Sequence, residues 1–305
     1  MLDFKPVELE DRSLLSPYLE KYGENSCQHS FVSMYLLKEK YQDAWTIVQN
    51  TLFILRKERC DDRFRSYLFP LGTMDTAEAV ALLREDAHSH GKLLRFATLS
   101  ESAWQRLQAC FPEDFQGEEV RDYGEYVYLT EKLKNMPGHK MHEKRRCVYR
   151  LWDHYGNDLD IHEIQENDLP DIWNFQQEWL AMAEDSHDMT DLERENRSIR
   201  LALDHYKKFQ LLGIVVRLQH RVVGYMYGSL ISPDCFDAIA QKGDYQLPGL
   251  YILMHMAMAR HVEASGRKYY NMEEDLGISG LRRSKLSYRP DHLIYKYIAE
   301  EISHV

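Results

Sequence analysis

The chain contains 305 residues, and single hydrophobic cores usually stop growing near ~100–200 residues, so two domains are expected. Hydrophobic residues make up 44% and charged residues 29% of the chain, which excludes disordered, collagen-like and disulfide-scaffold proteins. The 38 basic and 49 acidic residues give a formal net charge of -11, which argues against a protein that coats duplex DNA. A local basic site is compatible with this charge.

Targeting and cysteine patterns favour a cytoplasmic protein. The first residues show no basic segment followed by an apolar stretch, so no secretion signal is expected. The longest apolar segment, around residues 250–259, is far below the ~18 residues that span a bilayer, so integral membrane association is not expected. The five cysteines are scattered and form no CxxC pair, which predicts neither disulfides nor a cysteine-zinc site.

The first half of the chain predicts helices, a hairpin, and then alternating strands and helices. Apolar runs on both sides of a polar turn indicate the hairpin, and helical spacing with a capping serine indicates the later helices. The elements are strands Ala44–Val48, Leu52–Leu55 and Tyr67–Leu71, helix Thr76–His88, strand Leu94–Leu99 and a helix that begins at Ser100. They are assigned to a first domain, residues 1–136.

The dipeptide Pro137-Gly138 is the clearest break in the chain. A basic linker helix, residues 137–156, follows it, and a second domain is assigned to residues 157–305. The elements predicted there are strand Asp160–Ile164, helices over 169–183 and 190–209, a hairpin over Leu211–Ile231, strand Cys235–Ala240, helix Gly249–Val262, and strands Lys268–Met272 and His292–Ile298. Because both halves follow the same order, the sequence predicts two similar mixed α/β domains.

Common catalytic signatures do not occur in this sequence. It has no GxGxxG, P-loop, GxSxG or HExxH motif, which argues against dinucleotide oxidoreductases, P-loop NTPases, α/β-hydrolases and common zinc proteases. The segments His88–His90 and Asp185–Asp188 contain metal-ligating residue types, but their spacing favours polar surface loops. No metal site is predicted.

The linker helix contains a first candidate constellation. At helical spacing Lys140, Lys144 and Arg145 share one side, while Arg146 and Arg150 share another. This basic group is either a solvated linker or an anion site, because guanidinium groups bind phosphate and carboxylate bidentately. Both interpretations are open from the residues alone.

The second constellation is the segment 269–290. A strand there ends in three successive carboxylates, and a turn with glycines leads into a short basic helix. Ligands in open α/β sheets gather beyond the carboxyl ends of the strands, which favours a binding or catalytic site. Salt bridges on an ordinary surface are the alternative. The charged residues are Glu273, Glu274, Asp275, Arg282, Arg283 and Lys285.

The pattern that runs from Asn271 through Pro290 resembles the soluble family related to the C-terminal domain of phosphatidylglycerol lysyltransferase, the DUF2156 group. Three further stretches agree with that family: Tyr126–Leu133, Gly138–Lys140 with Lys144 and Arg145, and Lys242 with Gly249–Tyr251. The resemblance extends from Asn25 to the C-terminus. It implies an α/β fold of two tandem acetyltransferase-type (GNAT-like) domains, shared with peptidoglycan aminoacyl transferases that use aminoacyl-tRNA.

The resemblance leaves donor and acceptor open, with aminoacyl-tRNA favoured over acyl-CoA as the donor. Acetyl-CoA users of this fold carry an Arg/Gln-x-x-Gly-x-Gly/Ala loop whose backbone N–H groups hold pyrophosphate. The corresponding segment here, 241–249, reads Gln-Lys-Gly-Asp-Tyr-Gln-Leu-Pro-Gly and does not match. The expected partners are therefore aminoacyl-tRNA or a small anionic substrate, with acyl-CoA less favoured as a cofactor.

Transfer of an acyl or aminoacyl group to an amine or hydroxyl needs a base and a group that stabilises the tetrahedral oxyanion. Glu273, Glu274 or Asp275 is the expected base, Lys285 and Arg282 suit the oxyanion, and Tyr288 could return a proton. No nucleophilic cysteine or serine is indicated, so direct transfer is expected. The expected substrate-binding residues are Asn271, Arg282, Arg283, Arg145, Lys144, Tyr225, Tyr251 and Lys242.

The alternative hypothesis is a non-catalytic binding module. In that case the basic helix and the Arg282, Arg283 and Lys285 turn would bind RNA or an acidic metabolite. Catalytic carboxylates would line a cleft and have perturbed pKa values, whereas a binding face would present solvated charges over a broad patch.

Overall fold

The computed structural model describes residues 2–57, 61–183 and 189–303, so the segment Asp185–Asp188 lies outside the described residues. The chain forms two compact units. The first contains Met1–Glu125, Glu274–Ser279 and Leu293–Val305, and the second contains Tyr126–Glu273 and Gly280–His292. None of the described helices is long and apolar enough to cross a membrane.

Residues 2–119 contain seven strands and five α-helices within the part that the structure describes. In chain order they are β1 (Lys5–Pro6), α1 (Arg12–Tyr22), α2 (Phe31–Leu36), α3 (Lys38–Tyr41), β2 (Ala44–Val48), β3 (Thr51–Leu55), β4 (Phe64–Leu68), β5 (Leu71–Gly72), α4 (Thr76–Ser89), β6 (Leu93–Ser100), α5 (Glu101–Cys110) and β7 (Phe115–Glu119). The predicted hairpin and the helix after Ser100 are confirmed, and the Ser100 hydroxyl accepts a hydrogen bond from the Ala103 N–H.

The remainder of the chain, from Glu125 onward, has longer strands, although its first strand and first helix still lie in the first half of the sequence. In chain order its elements are β8 (Glu125–Leu129), α6 (Thr130–Asn135), α7 (His142–Tyr155), β9 (Leu159–Glu163), α8 (Leu169–Ala183), α9 (Met189–Asp204), β10 (Leu212–Leu218), β11 (Arg221–Ser232), β12 (Cys235–Gly243), α10 (Leu250–Ala264), β13 (Tyr269–Glu274), α11 (Ser279–Ser287), β14 (His292–Ile294) and β15 (Lys296–Glu301). The basic helix predicted after Pro137-Gly138 is α7, and the short basic helix after the three carboxylates is α11.

Two tight turns set the register of the hairpins. The turn between β2 and β3 is Gln49-Asn50, and the turn between β10 and β11 is Gln219-His220. All four residues have positive φ angles, between 44° and 69°. Two-residue turns with both residues in the left-handed region match the twist of antiparallel strands, so non-glycine residues are tolerated there.

The first sheet has the order β1-β2-β3-β4-β6-β15-β7, with β5 added beside β3. Strands β4 and β6 are parallel, and α4 connects them. The core of this unit lies between the sheet and helices α4 and α5. It includes Phe53, Tyr67, Val80, Leu83, Leu94, Phe96 and Leu107, all almost fully buried.

The second sheet has the order β14-β8-β13-β12-β11-β10-β9. Helix α8 covers one face, where the ring of Phe175 lies 6.2 Å from that of Tyr225. Helix α10 covers the other face, and a Cβ atom at Gly224 or Gly243 would lie 3.0 Å from Met254. These glycines let α10 pack close to the strands.

The two sheets share one plan, and each completes it with a strand from the other half of the chain. Both contain an antiparallel meander, a parallel pair joined by a helix, and two further strands. Strand β15 lies beside β6 in the first sheet, and β8 lies beside β13 in the second. The prediction of one terminal strand over His292–Ile298 was wrong, because β14 and β15 are separate strands in different sheets. Lys296, the first residue of β15, is buried and paired with Glu125.

The compact units also differ from the boundaries expected at residues 136 and 157. The units meet along the chain at Glu125 and Tyr126, and the first unit recovers two later segments. An amphipathic pattern identifies elements but does not show which sheet a strand joins, and this is why the exchange was not foreseen. The domain boundaries themselves remain predictions.

The strand exchange predicts that residues 1–136 do not fold alone. This fragment lacks β15, so β6 and β7 would be left as unpaired edges and Glu125 would lose its buried partner Lys296. We expect the fragment to be insoluble or unfolded by circular dichroism, and co-expression with residues 137–305 to restore solubility. A cooperative thermal transition of the isolated fragment would contradict this expectation.

Candidate active site

The parallel strands β12 and β13 separate near their carboxyl ends. Backbone pairing between them covers only three positions, from Cys235 opposite Tyr269 to Asp237 opposite Asn271. Both strands continue beyond these positions, β12 to Gly243 and β13 to Glu274. The carboxyl ends of adjacent parallel strands are where ligands bind in open α/β sheets. The predicted site segment therefore begins where this pairing stops.

The end of β13 has an unusual backbone. Glu273 has a φ of 57°, a left-handed conformation that is uncommon for a residue other than glycine and often marks functional sites. The buried side chain of Asn271 stabilises it, because its Oδ1 accepts a hydrogen bond of 2.7 Å from the Glu273 N–H. The Asn-x-Glu spacing of the sequence motif is thus a device that turns the strand at Glu273.

The three successive carboxylates belong to different units. Glu273 belongs to the second unit, whereas Glu274 and Asp275 belong to the first. Asp275 is fully buried, and its oxygens accept from the Gly277 N–H at 2.9 Å and from Arg121 at 3.3 Å. Asp275 therefore holds the turn that follows β13. Glu273 is the carboxylate that shares a unit with the predicted lysines and tyrosines.

Two lysines of the second unit lie around a buried histidine and tyrosine, a group we call the lysine–histidine cluster (Lys144, His255, Lys285 and Tyr288). The Lys144 Nζ lies 3.8 Å from the centre of the Tyr288 ring, and that ring lies 5.1 Å from the His255 ring. The Lys285 Nζ donates a 2.6 Å hydrogen bond to the carbonyl of Met272, the residue before Glu273. Burial raises the pKa of Tyr288 and lowers that of Lys144.

A second group, the tyrosine cluster, contains Trp179, Glu195, Tyr225, Tyr227 and Lys242. The Lys242 Nζ binds both carboxylate oxygens of Glu195 at 2.8 Å and lies 4.0 Å from the centre of the Trp179 ring. The rings of Tyr225 and Tyr227 stack at 6.2 Å. The sequence predicted Tyr225 and Lys242 but missed the other three residues.

Two carboxylates act electrostatically on Tyr227: Glu195, which is paired with Lys242, and Glu273. Burial raises the pKa of Tyr227, and the charges of Glu195 and Glu273 raise it further. The Tyr225 hydroxyl donates to Gln176 at 2.7 Å. The predicted residue Tyr251 belongs to α10, and its side chain reaches the end of β12. There its hydroxyl accepts from the N–H of Gly243 and donates to the carbonyl of Gly243, both at 3.1 Å.

Three predicted arginines are placed differently. Arg145 donates to the backbone carbonyls of Met136 and Gly138, the latter at 2.9 Å, so it holds the Pro137-Gly138 loop. On helix α11, Arg282 is half-buried and Arg283 is exposed. A binding role for these three residues remains a prediction.

The first unit contains a buried polar network that the sequence did not reveal. The Lys296 ammonium lies 2.7 Å from the Glu125 carboxylate and donates to the Ser26 hydroxyl at 2.5 Å. The Ser26 hydroxyl and the Cys27 N–H both donate to Glu125, at 2.7 and 2.9 Å. Lys296 interrupts the apolar run 293–298, and a lysine within such a run was the signal that could have indicated a buried partner.

The network continues to the partly exposed Glu274. Gln28 donates to Glu274 at 2.8 Å and accepts a short hydrogen bond from Arg56. Arg56 in turn forms a bidentate pair with Asp43, at 2.9 and 2.7 Å. Polar residues therefore run without interruption from Asp43 to the residue that follows Glu273.

Charge pairing, rather than burial, sets the protonation states of Glu125 and Lys296. Burial alone would raise the pKa of Glu125, but Lys296 and the hydrogen bonds from Lys296, Cys27 and Ser26 outweigh it and lower the pKa. Burial would lower the pKa of Lys296, but the Glu125 charge outweighs it and raises the pKa. Both groups are therefore ionised at neutral pH.

Within residues 2–57, 61–183 and 189–303, one group of side chains has the spacing for a metal ion. Ligand atoms of Cys27, Glu125 and Glu274 lie within 4.8 Å of one another. The Lys296 ammonium already balances Glu125, and its positive charge would repel a cation at this point. The expectation of no metal site remains a prediction.

Helices α4 and α10 connect the parallel strands of the two sheets, and other groups lie close to the start of each helix. A Cβ atom at Gly249, which precedes α10, would lie 2.8 Å from the Cys147 carbonyl of α7. At α4 the Asp75 side chain accepts from the N–H groups of Ala77 and Glu78, which places a negative charge there. The Asp75 carboxylate therefore disfavours an anion at the start of α4, and Gly249 packs closely against α7.

Fold and site together define a class of protein with two GNAT-like units, and comparisons with solved structures confirm it. A conserved protein of unknown function from Bacteroides thetaiotaomicron matches over 99% of this chain and 100% of its own, with 26% identity and a TM-score of 0.92. The L-PGS structure from Bacillus licheniformis matches 95% of this chain and 91% of its own, with 15% identity and a TM-score of 0.65. A tandem GNAT protein from the clavulanic acid biosynthesis pathway matches 100% of both chains, with 9% identity and a TM-score of 0.51.

Residues 19–300 match the family described as phosphatidylglycerol lysyltransferase, C-terminal, so the chain belongs to this family. The resemblance noted from segment 271–290 is thereby confirmed. A curated relative, the uncharacterized protein MYCGA3080 of Mycoplasmoides gallisepticum, is 22% identical over 182 residues. That match spans 58% of this chain and 56% of the relative. Family and fold both point to a transferase of aminoacyl or acyl groups.

Removing one partner of the buried pair should destabilise the first unit strongly. Lys296→Met would leave the Glu125 charge buried without its ammonium partner, which typically costs about 3–5 kcal/mol. The matched control is Lys207→Ala, which removes the lysine of an exposed pair with Glu166 and should cost less than about 1 kcal/mol. Urea unfolding measures both changes, and equal effects would contradict a structural role for the buried pair.

Two histidines, the half-buried His29 and the buried His255, should make stability depend on pH. Burial, assisted by Lys296, lowers the pKa of His29 to about 4, and burial, assisted by Lys144 and Lys285, lowers that of His255 to about 3. An unfolded histidine titrates near ~6.5. Below that pH the unfolded chain binds more protons than the folded chain, so the free energy of unfolding falls as the pH decreases.

His255→Gln should therefore reduce the slope of unfolding free energy against pH between about pH 6.5 and pH 4. The same substitution at exposed His154 serves as the control and should leave the slope unchanged. Urea unfolding at a series of pH values gives the slope independently of any uniform loss of stability. A His255→Gln slope equal to that of wild type would show that the buried histidine is not neutral in the folded protein.

Proposed function

We propose that the chain transfers an aminoacyl group from aminoacyl-tRNA to an amine or hydroxyl acceptor, with Glu273 as the general base. The observation that carries the proposal is the end of β13, where Asn271 fixes Glu273 in a left-handed conformation beyond the last paired position of β12 and β13. A carboxylate held in a strained backbone at the carboxyl end of a parallel strand is typical of a catalytic group.

Two observations favour an aminoacyl ester over acyl-CoA. The segment 241–249, between β12 and α10, does not match the pyrophosphate-binding loop of acetyl-CoA users of this fold. The carboxylate of Glu273 has the charge that attracts the ammonium group of an aminoacyl ester, a group that acyl-CoA lacks.

The reaction follows from the positions of these groups. Glu273 takes a proton from the acceptor, whose amine or hydroxyl attacks the ester carbonyl to form a tetrahedral oxyanion. Lys285, whose Nζ donates to the carbonyl of Met272, the residue before Glu273, is the cation expected to stabilise that oxyanion, with Arg282 on the same helix. The C–O bond then breaks and the ribose oxygen of the tRNA leaves. Burial raises the pKa of Tyr288, so protonated Glu273 is the better proton donor to that oxygen.

Glu273→Gln should abolish transfer while the fold is retained. Loss of a general base lowers rates by roughly 10²–10⁴-fold. The measurement is release of a labelled amino acid from aminoacyl-tRNA into new products, with a cell extract as the source of acceptor. The matched control is Glu263→Gln. Glu263 lies on α10 and pairs with Lys134, and this variant should transfer at the wild-type rate.

A Glu273→Gln variant as active as wild type would reject Glu273 as the base. Wild-type protein that accepts acyl-CoA and ignores aminoacyl-tRNA would reject the donor. Wild-type protein that binds either donor without turnover would support the non-catalytic binding module instead.

A further inference from the structure

One face of helix α7 presents arginines and aromatic rings to solvent. The side chains of Tyr149 and Trp152 are 69% and 39% exposed, and Arg146 and Arg150 are exposed as well. Residues three and four apart lie on one side of a helix, so Arg146, Tyr149 and Arg150 share a face, and Trp152 lies at its edge. Tyr149 is mostly exposed and Trp152 partly so, and packing in the core does not explain the ring surface that they leave in solvent.

The charge of this segment is opposite to that of the whole protein. Residues 139–155 contain five lysines and arginines against two acidic residues, whereas the formal net charge of the chain is -11. Two of the five cations point inward, Lys144 over the Tyr288 ring and Arg145 to backbone carbonyls. Lys140, Arg146 and Arg150 are left on the exposed surface.

The acidic residues nearby restrain this surface only weakly. Glu143 lies 3.2 Å from Arg146, but both side chains are largely exposed, and exposed pairs contribute little free energy. A phosphate can therefore replace Glu143 as the partner of Arg146. Arginine binds phosphate bidentately, and a neighbouring aromatic ring offers a stacking surface for a base.

We infer that the exposed face of α7, formed by Arg146, Tyr149, Arg150 and Trp152, binds the single-stranded end of an RNA. This inference rests on the proposed function and gives the nucleotide part of aminoacyl-tRNA a docking surface. Unstacked bases of single-stranded RNA stack on aromatic side chains while arginines contact the backbone. An anionic membrane fits less well, because the face has no aliphatic side chain to insert and Asp153 is exposed beside it.

The test uses the full-length protein and a dye-labelled, unacylated RNA hairpin with a single-stranded 3′ end. Fluorescence anisotropy gives the Kd over a series of salt concentrations. Arg146→Ala with Arg150→Ala should weaken binding at least about tenfold and reduce the slope of log K against log salt by about 1–2. Tyr149→Ala should weaken binding about tenfold, and Tyr149→Phe should bind like wild type because it keeps the ring.

The matched control replaces two exposed arginines of helix α9, Arg197 and Arg200, by alanine. This pair should bind the hairpin like wild type, which separates a local site from a general effect of net charge. Glu273→Gln should also bind like wild type, so a failure of docking and a failure of transfer are read from different experiments.

Three results would overturn the inference. The first is wild-type protein that does not bind the hairpin. The second is wild-type binding that the α7 and α9 variants reduce equally. The third is wild-type protein that binds vesicles containing phosphatidylglycerol through the same α7 residues and has no affinity for RNA, which would assign this face to a lipid surface.

Discussion

A buried carboxylate and a buried ammonium group, Glu125 and Lys296, support the architecture of this protein. Each residue begins a strand, β8 and β15, and these are the two strands that complete the sheet of the other half of the chain. Taking both charges out of water costs several kcal/mol, which is recovered only if the pair is close and every remaining oxygen is hydrogen-bonded. Ser26 and Cys27 supply those bonds. The ion pair therefore specifies where the exchanged strands begin, because a shifted register would leave both charges unpaired.

The candidate active site depends on a separate local hydrogen bond. The buried Oδ1 of Asn271 accepts from the N–H of Glu273 and so restrains the backbone at that residue. A left-handed conformation at a glutamate costs on the order of 1–3 kcal/mol and persists only where its surroundings over-determine it. This hydrogen bond holds Glu273 in that conformation before any substrate binds, which is the preorganisation that catalysis requires.

Much of the fold could be predicted from the sequence because local patterns specify it. The β2–β3 and β10–β11 hairpins, the helix after Ser100 and the basic helix α7 follow from alternation, capping and helical spacing. The exchange of β8 and β15 could not be predicted. The paired residues Glu125 and Lys296 are far apart in the sequence, and the alternation of apolar residues in a strand is the same in either sheet. The motif segment led to Glu273 and Lys285, whose roles remain predictions. Spacing along a strand could not show that Glu274 and Asp275 belong to the first unit while Glu273 belongs to the second. Glu195, Tyr227 and Trp179 carry no sequence signal, because each is an ordinary residue of an amphipathic helix or strand.

The central claim is that Glu273 lies at the reacting carbonyl of an aminoacyl donor. The most direct measurement is a crystal structure of the full chain with a non-hydrolysable aminoacyl-adenosine analogue. We predict that the carbonyl carbon of the analogue lies within hydrogen-bonding reach of an acceptor atom held by Glu273, beyond the last paired position of β12 and β13. An analogue bound elsewhere in well-defined density, with Glu273 far from the carbonyl, would contradict the claim.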